Sequence, residues 1–145
     1  MNTFVVDANV AVKWVLSEIH SEIAQCLLDD AHELLVPDFF FSEIGNILWK
    51  RVRRGETTLE LAQNDLTILI GGDLKIYPSQ SLMPMALEIA VRVDQAIYDC
   101  VYLSLAVTNK CQMVTADERF YNAIYRDVLS AHVCWIENFP SYESQ

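Results

Sequence analysis

Apolar positions along the chain alternate between short runs and helical spacing. Phe4-Val5-Val6 is a brief apolar run halted by Asp7, the profile of a buried strand. Val10 to Leu16 follows as a helix, with Asn9 placed to cap it. Ser21 to Ala31 carries Ile23, Ala24, Leu27 and Leu28 at helical spacing. Leu34-Leu35-Val36 predicts a second strand, ended by Pro37-Asp38, and Asp38 is positioned to cap a helix from Phe39 to Arg54. Gly55 then suits the left-handed residue that closes a helix. Thr57-x-x-Glu60 fits a capping box for a helix reaching about Ile70, with Leu59, Ala62, Leu66 and Leu69 on one face and Gly71-Gly72 as its stop.

Lys75-Ile76-Tyr77 predicts a third strand, and Ser81 opens a helix that tolerates Pro84 in its first turn. From about Ala96 to Val107 the chain is apolar nearly all round, the pattern of a buried helix. Gln112 to Thr115 reads as a strand, Asp117 to about Arg126 as a helix, and His132 to Trp135 as a last strand. Strands separated by helices imply right-handed crossovers. The expected fold is α/β, a three-layer α/β/α sandwich with a central, mostly parallel sheet. At 145 residues one domain spanning 1–145 is expected, with fraying from about 137 onward. Ligands of such sheets gather beyond the C-terminal strand ends, where Asp7 and Asp117 both fall.

Composition narrows the class. Hydrophobic residues make up 52% of the chain, ample for one core and too many for a disordered segment. The opening MNTFVVDANV has no basic region before its first aspartate, so neither a secretory signal nor a membrane span is expected, and a cytoplasmic place is. Cys26, Cys100, Cys111 and Cys134 are scattered without zinc-ligand spacing and read as reduced, packed thiols. A formal charge of −10 opposes nucleic-acid binding in general. Four of the ten basic residues, however, cluster as Lys50, Arg51, Arg53 and Arg54. That cluster either steers an RNA backbone or simply complements the C-terminal dipole of its helix.

Two further acids sit in unusual company. Glu43 lies near the start of the helix that follows Phe39-Phe40-Phe41, and Asp99 opens the most apolar helix. Carboxylates in such settings are rarely buried unless paired or bound to a cation. Each of Asp7, Glu43, Asp99 and Asp117 has a plain alternative as a cap or a partner of a helix dipole. Together they lie at strand ends or first helical turns, which face one rim of a parallel sheet. Two carboxylates about 4 Å apart repel by roughly 4 kcal/mol at an effective dielectric near 20, so four gathered acids call for cations. Oxygen donors without His or Cys motifs point to Mg²⁺ or Mn²⁺, and phosphodiester hydrolysis is the natural reaction. Asn9 is placed to orient a water or cap a helix, Thr115 to hold Asp117 or serve as an ordinary strand residue, and Asn46 to fix Glu43 from one turn away.

The order Val5-Val6-Asp7-Ala8-Asn9-Val10, Pro37 through Glu43 to Asn46 and Leu48, Tyr98-Asp99-Cys100-Val101-Tyr102-Leu103-Ser104-Leu105-Ala106, and Val114-Thr115-Ala116-Asp117-Glu118-Arg119 resembles the PIN-domain family, especially its VapC-type toxins. The resemblance spans nearly the whole chain. It implies a Mg²⁺- or Mn²⁺-dependent endoribonuclease acting on RNA, with Asp7, Glu43, Asp99 and Asp117 as metal-binding acids and Asn9 and Thr115 as helpers. It further implies a homodimer and a cognate antitoxin that covers the active site.

Rival classes fare less well. A phosphatase or phosphoacceptor using Asp7 as nucleophile wants a second acid where Asn9 stands. A nucleotide-binding module wants a glycine-rich cradle, and the four glycines form neither G-x-G-x-x-G nor a P-loop. A PIN-like domain that binds a partner without catalysis would be marked by a missing acid, and none is missing.

Overall fold

The computed structural model describes residues 2–140. Strand β1 (Asn2–Val6) leads into helix α1 (Ala8–Ala11) and a 3-10 turn (Val12–Trp14), and α2 (Ser21–Cys26) precedes β2 (His32–Pro37). Helices α3 (Phe40–Arg53) and α4 (Leu59–Ile70) form a hairpin before β3 (Leu74–Tyr77). Then come α5 (Met83–Val93), α6 (Ile97–Thr108), β4 (Gln112–Thr115), α7 (Glu118–Ile124) and β5 (Val133–Trp135). The sheet runs β3-β2-β1-β4-β5, parallel throughout, so it is more uniformly parallel than the sequence required. Strand β1 is central, with Val5 opposite both Leu35 and Met113.

The most apolar stretch becomes the spine of the core. In α6 every residue from Cys100 to Ala106 is buried, and the helix packs on β1, β2 and β4. Full burial of a large apolar side chain contributes roughly 1.5–3 kcal/mol, so Leu103 and Leu105 anchor the sheet against this helix. All four cysteines are free, and Cys26 and Cys100 are buried as packed thiols.

Helix ends follow the local chemistry, though not always at the expected residue. Gly55 does take positive φ, 74°, and closes α3 with paired bonds from its own N–H to Val52 and from Glu56 N–H to Arg51. Asn9 is no cap. Helix α1 begins two residues earlier than its apolar rhythm suggested, and Asp7 caps it. Asp38 does not cap α3 either; Phe39 occupies that place without a side-chain bond. The hydroxyl that caps α4 belongs to Thr58 rather than Thr57. Helix α2 stops at Cys26, well short of Ala31. Near the end, Phe139 is buried with its ring edge-on to Phe4 and His32, so packing continues past 137. Residues 141–145 of the expected frayed tail lie outside the described residues.

Candidate active site

The central strand delivers the first acid. Asp7 follows Val6 at the C-terminal end of β1 and is only 3% exposed. Its Oδ1 accepts the Val10 N–H at 2.8 Å, which caps α1, and its Oδ2 accepts the Thr115 hydroxyl at 3.4 Å. The Thr115 oxygen also accepts the Asp117 N–H at 3.1 Å, and Asp117 Oδ1 caps α7 through Phe120 N–H. One threonine thus ties together the acids at the ends of β1 and the neighbouring β4. Both capping assignments that competed with a chemical role are real, and neither uses all the lone pairs of its carboxylate.

Helices bring the other two acids to the same rim. Glu43 stands in the first turn of α3 and Asp99 in the first turn of α6. Burial pushes Asp7 up to about 7, and the charges of Asp99 and Glu43 push the same way. Asp99 is raised to about 6 by burial first and then by Asp117 and Glu43. Glu43 is raised as well, chiefly by burial. Each acid of the predicted set therefore feels at least one other, directly or through Thr115. As placed, no three His, Cys, Asp or Glu side chains among the described residues have the spacing of one ion's ligands.

Glu43 Oε1 is buried without any hydrogen-bond partner. Leaving a buried acceptor unsatisfied costs roughly 1–3 kcal/mol, more when charged. An all-oxygen set with an orphaned carboxylate and two acids of raised pKa fits a hard divalent cation. Magnesium keeps several waters and needs only one or two direct carboxylates, so the looser spacing is compatible with it.

Beside Glu43 opens a cavity of about 490 Å³. Asn9 and Asn46, both exposed, line it together with Lys50 and the exposed ring of Tyr98. The two predicted helper amides are thus brought to Glu43. The basic cluster is not brought there whole. Arg51 is ion-paired with Glu18 and, at 3.2 Å, with Glu56, while Arg53 lies over the Trp49 ring at 4.5 Å. Of the four, Lys50 lines the cavity and Arg54 is exposed at the end of α3.

Sequence reasoning missed Lys13. It is 7% exposed, pairs with Glu18 at 3.3 Å, and its pKa is lowered by burial while Asp7 opposes that shift. The signal was present as one lysine inside the apolar run from Val10 to Leu16.

A family model for the PIN domain matches residues 4–124, a span that contains all four acids. The chain belongs to the PIN-domain family. Ribonuclease VapC3 from Pyrobaculum aerophilum is 30% identical over 117 residues, covering 79% of this chain and 89% of that protein. The crystal structure of PAE2754 from the same organism superposes with a TM-score of 0.67 at 22% identity, over 84% of this chain and 79% of that one. A toxin–antitoxin complex from Klebsiella pneumoniae contains a chain that superposes with a TM-score of 0.63 at 10% identity, over 94% and 98% of the two chains. This PIN domain places Asp7 just past the end of its central strand, and both neighbours share the overall fold.

Proposed function

We propose that this PIN domain is a Mg²⁺- or Mn²⁺-dependent endoribonuclease and the toxin of a toxin–antitoxin pair. The observation that carries the reading is Asp7, buried and raised to about 7 by its surroundings, beside Glu43 with an unsatisfied oxygen. The likeness to a ribonuclease at 30% identity supports RNA as substrate, and the fold shared with a toxin–antitoxin complex supports a dedicated protein inhibitor.

In this reading Asp7, Glu43, Asp99 and Asp117 hold the cation. The cation supplies positive charge where a phosphodiester under attack gathers negative charge, and eases proton loss from water. The remaining work falls to the chain. Thr115 holds the Asp7 carboxylate and the Asp117 backbone, and Phe120 N–H holds the Asp117 carboxylate, so neither acid must be reoriented when substrate arrives. Asn9 and Asn46 offer amides to a water or phosphate oxygen at the cavity wall. Lys50 draws the backbone toward an otherwise acidic surface, and Tyr98 presents a ring for an unpaired base to stack upon.

The cytoplasm is the proposed place of action, where RNA is at hand and thiols stay reduced. Among the described residues, no helix is long and apolar enough to cross a membrane. Homodimers are the proposed working form. The deciding experiment incubates purified protein and single-stranded RNA with Mg²⁺, Mn²⁺ or EDTA. Cutting that requires either cation and ceases in EDTA is expected; cutting indifferent to EDTA refutes the proposal. Growth arrest on expression, relieved by a co-expressed neighbouring small open reading frame, is expected of a toxin and not of a housekeeping nuclease.

A further inference from the structure

Tyr102 is an anomaly in the core. Only 1% of it is exposed, yet its hydroxyl completes no hydrogen bond, although the Ala8 backbone and the Glu43 carboxyl both approach it. The other buried side-chain oxygen in that condition among the described residues is Glu43 Oε1. The two orphans are neighbours. Each perturbs the ionisation of the other, and Tyr102 also senses Asp7. The hydroxyl lies within hydrogen-bonding reach of the carboxyl but off the alignment that completes a bond. Two unsatisfied groups in one dry place would cost the fold twice unless they serve one another.

The scaffold around Tyr102 fixes where its hydroxyl can go. It stands one turn after Asp99 on α6 and so shares its face of the helix. Phe39 meets its ring edge-on at 5.6 Å, which leaves the ring little freedom to swing. An ordinary phenol keeps its proton up to about pH 10, so beside a carboxylate Tyr102 can act as a neutral donor.

We propose that Tyr102 is a positioning residue for Glu43, its hydroxyl donating to Glu43 Oε1 and turning the second carboxylate oxygen toward Asp7 and Asp99. The assignment rests on Glu43 being a cation ligand, as proposed above. A small rotation of the Glu43 side chain closes the bond and satisfies both orphans. The carboxylate then meets a cation already oriented, as the outer partners of metal ligands generally ensure.

The test uses the full chain and Mn²⁺ alone, followed by the paramagnetic resonance signal of free Mn²⁺. Tyr102→Phe keeps the ring and its contact with Phe39 and removes only the donor. Its Mn²⁺ affinity is expected to fall about 10- to 100-fold, the range for losing an outer partner of a metal ligand. In a Glu43→Gln background, the same change is expected to alter affinity less than twofold. Equal Mn²⁺ affinity in wild type and Tyr102→Phe overturns the inference while leaving the nuclease reading intact. Wild-type protein that binds no Mn²⁺ overturns both. A second measurement needs no variant: proton NMR of the wild type should show a slowly exchanging Tyr102 hydroxyl with a cross-peak to the Glu43 side chain. A hydroxyl proton in fast exchange with water overturns the assignment even where Tyr102→Phe fails to fold.

Discussion

Two hollows lie at opposite edges of the sheet, one with several acids in its wall and the other with Glu43 in its wall. The one at the N-terminal strand ends has the greater volume, about 530 Å³ against 490 Å³, and is walled by Trp14, Leu27, Leu34 and Leu69. Its acids live differently. Asp30 and Asp73 are exposed, and Glu33 pairs with Lys75 at 3.3 Å. At the C-terminal edge Asp7 is sealed in and Glu43 keeps an unsatisfied oxygen. Room alone therefore marks no chemistry. What separates the hollows is whether a negative charge has been withdrawn from water without compensation, a condition that raises pKa and invites a cation.

The sharpest way to break this contrast is to neutralise acids on either side. Asp7→Asn or Asp99→Asn should lower initial RNA-cleavage rates at least about 100-fold, since losing even an outer partner of a metal site costs 10- to 100-fold. Asp30→Asn and Asp73→Asn should leave the rate within about twofold. Equal losses on both sides would erase the distinction.

Acidity offers a second probe. Asp7 and Asp99 have folded values of about 7 and about 6, both above the ordinary 3.8. The folded chain therefore holds protons that the unfolded chain gives up. Their contribution to stability is complete below about pH 4 and is lost as pH rises through 6 and then 7. Without divalent ions, the melting temperature should drop by several degrees between pH 5 and 8. Asp7→Asn should flatten that slope, and Mn²⁺ should restore the wild type at pH 8 but not the variant. A wild-type slope unchanged by Asp7→Asn would assign the pH effect to general charge repulsion.

Smaller effects refine the picture. Thr115→Val breaks the link between Asp7 and Asp117 and should slow cleavage about tenfold, with Thr115→Ser near wild type. Lys50→Ala should weaken RNA binding a few-fold and reduce the salt slope by about 1. Arg51→Ala, which removes the partner of Glu18 and Glu56, should instead lower the melting temperature with little change in affinity. Filter binding at several salt concentrations, paired with thermal melts, separates the two.

The rim acids were legible because their positions are set by local rhythm. A strand that ends at an aspartate and a helix that starts there place Asp7 and Asp117 whatever else the chain does. The parallel sheet followed from alternation and handedness, whereas the strand order β3-β2-β1-β4-β5 did not. Caps were less legible: Asn9 and Thr57 are each as good a capping residue as the one that takes the place, Asp38 is a better one than Phe39, and a shift of one or two residues is decided by how the helix packs. Side-chain partners at long range were not legible at all. Nothing in Lys50-Arg51-Val52-Arg53-Arg54 announces that Glu18 will claim Arg51. Tyr102 passed as one more apolar core residue, although a phenol one turn beyond a buried acid was the available sign.

Asp7 spends one oxygen starting a helix, and asparagine begins helices about as well as aspartate. On the proposed nuclease reading, a single-base codon change to asparagine would therefore disarm this chain while keeping its helix cap. Silencing and unfolding would then be separate mutational routes. A lineage can carry an inert but fully formed copy, still able to occupy whatever protein would otherwise restrain the active one.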